Sequence, residues 1–246
     1  MPLKSDELVR RVRLHQRSLE DKEALGVVPA PDDEALEKLS GSGQAALDLR
    51  LGRWLLSLRQ SRATLLDVRD SAARLLPEAA RKYLELSEAK IVPVDDIDKL
   101  RRAVHIEEAS FLATRPERLS KYQFVPFGDR FILHPGQFVL GITFEWLRFP
   151  QDLAGFVTGK SSWGRRGLII ETAAGIHPGF CGCLTLEIGN VGPVPIPLIP
   201  GMEICQVFFE KAYGKGVAES QFIGRRRPIL GEIDFDPVLE QLSQTL

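Results

Sequence analysis

Residues 159–187 read GKSSWGRRGLIIETAAGIHPGFCGCLTLE. The stretch places Lys160, Ser161, Ser162, Arg165 and Arg166 in a run of small and polar residues. Cations and hydroxyl donors at positions where the backbone can approach closely suit a phosphate-bearing ligand. The stretch then passes through a Gly-containing turn and ends in LTLE, followed by Ile188, so that Glu187 interrupts an apolar run. A carboxylate there meets low-dielectric surroundings unless it has a partner or a chemical task.

Working outward, residues 45–57 alternate in part, with Leu47, Leu49 and Leu51 on one side and Asp48 and Arg50 on the other, which is strand periodicity. From Phe124 to Glu210 short apolar runs are punctuated by PFG, HPG, RFPQ, VGPVPIP and IPGM, a pattern that predicts antiparallel strands in a barrel or jelly-roll-like sandwich. Residues 1–39 predict helix, loop, helix, with Ser5 capping a first helix that carries Leu8, Val12 and Leu14 on one face and LGVVP breaking it. Residues 67–120 are rich in Ala, Leu, Glu, Lys and Arg and poor in Gly, which predicts helices.

The blocks GKSSWGRRGL (159–168), TAAGIHPGFCGCLTLE (172–187) and PGMEICQ (200–206), with SGSGQAALDLRLG (40–52) and LHPGQFVLGITFEWLRFP (133–150), resemble the ordered motifs of the dCTP deaminase and dUTPase superfamily, closest to its dCTP deaminase branch. The resemblance implies a mainly β fold, a distorted antiparallel β-barrel or jelly-roll of the dUTPase-like kind with N-terminal helices and a helical insertion over 67–120. It divides the chain into an N-terminal helical segment (1–39), a β domain (40–228) and a C-terminal tail (229–246). It also implies hydrolytic deamination of dCTP to dUTP and ammonia, in a homotrimer whose sites form between subunits. The alternatives are dUTP pyrophosphatase activity, alone or coupled to deamination, and a non-catalytic nucleotide-binding trimer of the same fold.

By resemblance Glu187 is the proton shuttle, Arg165 and Ser161 position it and the attacking water, and Lys160 and Ser162 meet the phosphates. Lys160 stands where the family usually has arginine, which keeps the charge and loses the bidentate fork. Ala173 and Ala174 offer backbone to the pyrimidine. His177 replaces the aspartate that meets the sugar 3′-hydroxyl; imidazole still hydrogen-bonds a hydroxyl but is a poor substitute in water activation, which weakens the pyrophosphatase reading most. Phe222 and Arg225 fall in SQFIGRRRP (220–228), a faint match to the tail that closes over the triphosphate.

Magnesium is expected to enter through the substrate triphosphate. No zinc is expected: His105 and Glu107 form H-x-E in the insertion, and Cys181 and Cys183 are spaced C-x-C without the preceding proline of zinc deaminases. A net charge of −1 gives no global field for nucleic acid, and no apolar run reaches a membrane span. Three cysteines and a charged, helix-patterned N-terminus predict a reducing, cytoplasmic setting without a secretory leader.

Overall fold

The structure is a computed structural model that describes residues 2–18, 20–58, 120–171, 175–214, 216 and 222–231. The chain divides into two compact units, Met1–Ser57 with Tyr122–Leu230, and Leu58–Lys121 with Gly231–Leu246. The second unit, with the expected helical insertion over 67–120, lies almost wholly outside the described residues.

The first unit is mainly antiparallel β structure, as the punctuation pattern predicts. One sheet has the order β4 (Ser120–Phe124), β3 (Trp54–Leu58), β6 (Phe138–Arg148), β10 (Cys181–Asn190), β8 (Leu168–Glu171), and β1 (Gly26–Val28) also pairs with β6. A second has the order β2 (Ala46–Arg50), β12 (Glu203–Lys211), β7 (Leu153–Gly159), β9 (Gly175–Ile176). The short pair β5 (Phe131–Leu133) and β11 (Ile196–Leu198) completes the strands among the described residues.

Alternation sets which side chains face inward. Leu47, Leu49 and Leu51 are buried as their spacing predicts, and Leu184, Leu186 and Ile188 of β10 enter the same core. That core is continuous between the two larger sheets and includes Leu8 and Val12 of helix α1 (Ser5–Arg17). Replacing such a leucine by alanine costs about 2–5 kcal/mol. The ladder between β10 and β6 shifts register between Cys183 and Thr185. Buried Thr143 bridges the irregularity: its Oγ1 accepts from Leu184 N at 2.9 Å and donates to the Glu145 carbonyl at 2.8 Å.

The N-terminal region differs from expectation in two respects. Ser5 lies inside α1, and its hydroxyl donates to the Ser40 carbonyl at 3.2 Å; Lys4 occupies the cap position without a side-chain bond. The LGVVP break is itself strand β1, with Val27 opposite Leu147. Helix α2 (Asp33–Ser42) is capped as such sequences should be, Asp32 accepting from Ala35 N at 2.8 Å and Gly43 closing it at φ 68°. It extends into the SGS of residues 40–42, so the strand of that motif begins only at Ala46.

Candidate functional site

Glu187 sits in the middle of β10, opposite Leu140 of β6 and Glu171 of β8. Its neighbours Leu186 and Ile188 point into the core, so the alternation turns Glu187 to the other face, where it is half-buried. Among the described residues its carboxylate has no hydrogen-bond or ion-pair partner. Burial pushes the carboxyl above the ordinary carboxylate value of 4.5, and no cation among the described residues offsets it. A carboxyl raised in this way holds a proton more readily than an exposed one, which suits a group that must both take and give protons.

The Ser-Ser-Trp-Gly stretch forms a single helical turn, α3 (Ser161–Gly164), between β7 and β8. Trp163 N and Gly164 N donate to the Lys160 carbonyl, both at 3.0 Å, and Arg165 N donates to the Ser161 carbonyl at 3.0 Å. Trp163 packs against the core, and its Nε1 donates to the Glu203 carbonyl at 3.1 Å. Ser161, Ser162, Arg165 and Arg166 are left exposed. The turn is closed behind by Gly167, at φ 90°, whose missing Cβ would lie 2.4 Å from Gly192 Cα. Only glycine fits both the backbone angle and that approach.

The single chain does not bring Arg165 to Glu187. Leu168 pairs with Asn190 and Glu171 with Glu187, so the start of β8 is three residues, about 10 Å, along the ladder from Glu187, and Arg165 lies beyond it. Lys160 also has local partners. Its Nζ lies 2.7 Å from Asp48 Oδ2 and 2.7 Å from Glu203 Oε2. Burial pushes its pKa down, but the two carboxylates outweigh this and the net direction is upward.

His177 is exposed on the turn between β9 and β10, its carbonyl accepting from Phe180 N at 3.2 Å. Ala173 and Ala174 lie outside the described residues. Phe222 and Arg225 belong to a segment docked on β10 of the same chain: Gly224 N donates to the Cys181 carbonyl at 2.7 Å and Cys183 N to the Arg225 carbonyl at 3.0 Å. Arg226 and Arg227 stack over Trp146 and Trp54, at 5.0 and 4.0 Å from the ring centroids. This docking point is four residues, about 13 Å, from Glu187 along the strand. A cleft of about 470 Å³ opens nearby, lined by Lys22, Arg148, Phe149, Gly179 and Cys181 among others.

Asp48, Arg50, Glu145 and Glu203 are charged residues that motif reasoning did not select. Buried Glu145 accepts from Arg50 N at 2.8 Å, and Arg50 reaches both Glu145 and Glu203 at 3.5 Å. Burial pushes Glu145 upward against these bonds. The available signal was the polar face of β2, on which Asp48 and Arg50 alternate with leucines.

Residues 95–212 match the family model described as dCTP deaminase-like. A Dictyoglomus thermophilum protein named dCTP deaminase, dUMP-forming, is 39% identical over 148 residues, 53% of this chain and 76% of the relative. The chain belongs to the dCTP deaminase family. A second dCTP deaminase, dUMP-forming, from Clavibacter michiganensis is 50% identical over 109 residues, 41% of this chain and 54% of that one. A crystal structure of a 2′-deoxycytidine 5′-triphosphate deaminase from Agrobacterium tumefaciens aligns with a TM-score of 0.48 and 20% identity, covering 86% of this chain and 48% of that one. Among the described residues of this dCTP deaminase family member, no helix is long and apolar enough to cross a membrane. Among those residues no three His, Cys, Asp or Glu side chains gather at a metal-binding spacing either.

Proposed function

We propose that this chain is the protomer of a homotrimeric enzyme that converts dCTP and two waters to dUMP, ammonia and pyrophosphate. The observation that carries the proposal is Glu187: half-buried, raised by burial, and without a polar partner among the described residues. A carboxylate left so exposed to desolvation is completed by something outside the chain, a nucleobase on one side and a neighbouring subunit on the other.

In this reading Arg165 and Ser161 of one subunit meet Glu187 of the next, which accounts for their separation within one chain. Glu187 takes a proton from water as its oxygen adds to C4 of the cytosine. It then delivers the proton to the exocyclic amine, which leaves as ammonia. The arriving guanidinium lowers the carboxyl enough for it to act first as a base. The same reading assigns Ala173 and Ala174 to the pyrimidine, His177 to the sugar hydroxyl, and Ser162 to the phosphates, which carry Mg²⁺ with them. The earlier expectation of dUTP as the released product gives way to dUMP, because the relatives at 39% and 50% identity are dUMP-forming.

One observation favours a second outcome, deamination that stops at dUTP. His177 stands where the family motif has an aspartate, and an imidazole activates water at phosphorus poorly. Incubation with dCTP, CTP and dUTP, with ammonia, pyrophosphate and nucleotides resolved, separates the two. The proposal expects equal ammonia and pyrophosphate from dCTP. Ammonia with dUTP and no pyrophosphate establishes the second outcome, and His177→Asp should then release pyrophosphate. Nucleotide binding without any product contradicts both.

A further inference from the structure

Lys160 offers the least conventional arrangement in the site. It follows β7, yet its side chain crosses β12 to reach Asp48 on β2. The register shows the span: Gln206 of β12 pairs with Thr158 of β7 on one side and with Asp48 of β2 on the other. The same ammonium contacts Glu203, which opens β12. Lys160 is fixed through its backbone too, its N–H donating to the Ile204 carbonyl at 3.2 Å and its carbonyl accepting from the Trp163 and Gly164 amides of α3. Glu203 contributes twice, its carboxylate to Lys160 and its carbonyl to Trp163 Nε1. The inward residues of the turn are therefore tied to β2 and β12, while Ser161, Ser162 and Arg165 face outward.

We propose that Lys160 is a positioning residue, not a phosphate ligand: clamped between Asp48 and Glu203, it holds α3 so that Ser161 and Arg165 are presented to Glu187 of the adjoining subunit. The proposal rests on the deaminase reading for its kinetic consequences and on the geometry alone for the clamp. Electrostatics agree. One ammonium already faces two carboxylates at 2.7 Å, so its charge is engaged within its own chain. Arg50 ties the second carboxylate onward to buried Glu145. A displacement of about 1 Å in a positioned group can cost about 10²-fold in rate. A removed phosphate ligand instead raises KM and erases discrimination by phosphate number.

The test compares Lys160→Met, Lys160→Arg, Asp48→Asn and the Lys160→Met/Asp48→Asn double variant, each as the full chain. The chain has three tryptophans, so 5-fluorotryptophan labelling gives three ¹⁹F resonances, one of them from Trp163 in α3. The clamp predicts that Lys160→Met and Asp48→Asn both shift or broaden the Trp163 resonance and both lower kcat for dCTP about 10- to 100-fold, with KM within about threefold. The double variant should be no worse than either single one, and Lys160→Arg should recover most of kcat because a guanidinium can span two carboxylates. An unmoved Trp163 resonance in Lys160→Met overturns the clamp whatever the activity. It is equally overturned if Asp48→Asn lowers KM while Lys160→Met raises it and abolishes the preference for dCTP over dCMP, the pattern of a phosphate ligand. A wild-type chain that deaminates nothing while the resonance still shifts refutes the deaminase reading and leaves the clamp standing.

Discussion

Replacing Glu187 with glutamine separates chemistry from stability because the carboxylate has no partner to lose among the described residues of its own chain. The amide matches it in volume and removes the cost of burying a charge. Stability at pH 8 should therefore stay within about 1 kcal/mol of wild type, burial of the charge favouring the variant and the neighbouring subunit's guanidinium opposing it, which is at most about 2–4 °C in Tm for a chain of this size. The sign of the burial contribution follows from linkage. The folded-state pKa is raised above 4.5, so the carboxyl's contribution is fully present below the unfolded value and is lost as pH rises through the folded one. The burial contribution in favour of Glu187→Gln should thus appear as pH rises above 4.5 and vanish below it. Turnover behaves oppositely: a group that moves protons in both halves of the reaction contributes about 10²–10⁴-fold to each step, or about 3–5 kcal/mol of barrier. The assay is ammonia release from dCTP alongside thermal denaturation at pH 4 and pH 8. Turnover within tenfold of wild type, or a Tm lowered by more than about 4 °C at pH 8, would refute the reasoning.

Two further outcomes follow from other parts of the fold. Arg11 is 1% exposed and bidentate to Asp152, which is 41% exposed. Asp152→Ala leaves a buried cation with Glu7 and the Glu23 carbonyl and should cost about 2–3 kcal/mol, whereas Arg11→Met frees a carboxylate that water can reach and should cost about 1 kcal/mol; urea denaturation giving the reverse order contradicts this. Burial raises the Cys183 thiol to about 11 and pushes Cys205 higher still, so in the native protein at pH 8 a thiol reagent should modify Cys181 alone, the other two reacting only after unfolding. Three rapid equivalents would count against the described packing.

How far the sequence could be read depended on whether the signal was local. Alternation around Leu47, Leu49 and Leu51 and around Leu184, Leu186 and Ile188 is written in the chain, and the strands follow it. The place of Glu187 on the opposite face of β10 follows from the same period of two. The dense cation run at 160–166 reads locally as one phosphate cradle, yet its members diverge: α3 turns Arg165 outward and Lys160 inward to Asp48, 112 residues earlier in the chain. Partners that distant leave no trace in spacing. The burial of Arg11 and Glu145 was hidden for the same reason, since their counter-groups Asp152 and Arg50 arrive from other elements. Strand β1 looked like a helix break because three residues carry too little periodicity to register.

The central claim is that one site is assembled from Glu187 of one subunit and Arg165 of its neighbour, and subunit mixing tests it most directly. Glu187→Gln and Arg165→Ala chains, each inactive alone, are unfolded together, refolded at equal concentration and assayed for ammonia release from dCTP. Random assembly of a cyclic trimer pairs an intact Glu187 with an intact neighbouring Arg165 at about one site in four, so about a quarter of wild-type activity should return. No recovery from mixed trimers, with each parent chain assembling normally, would place both groups in the same subunit and contradict the account.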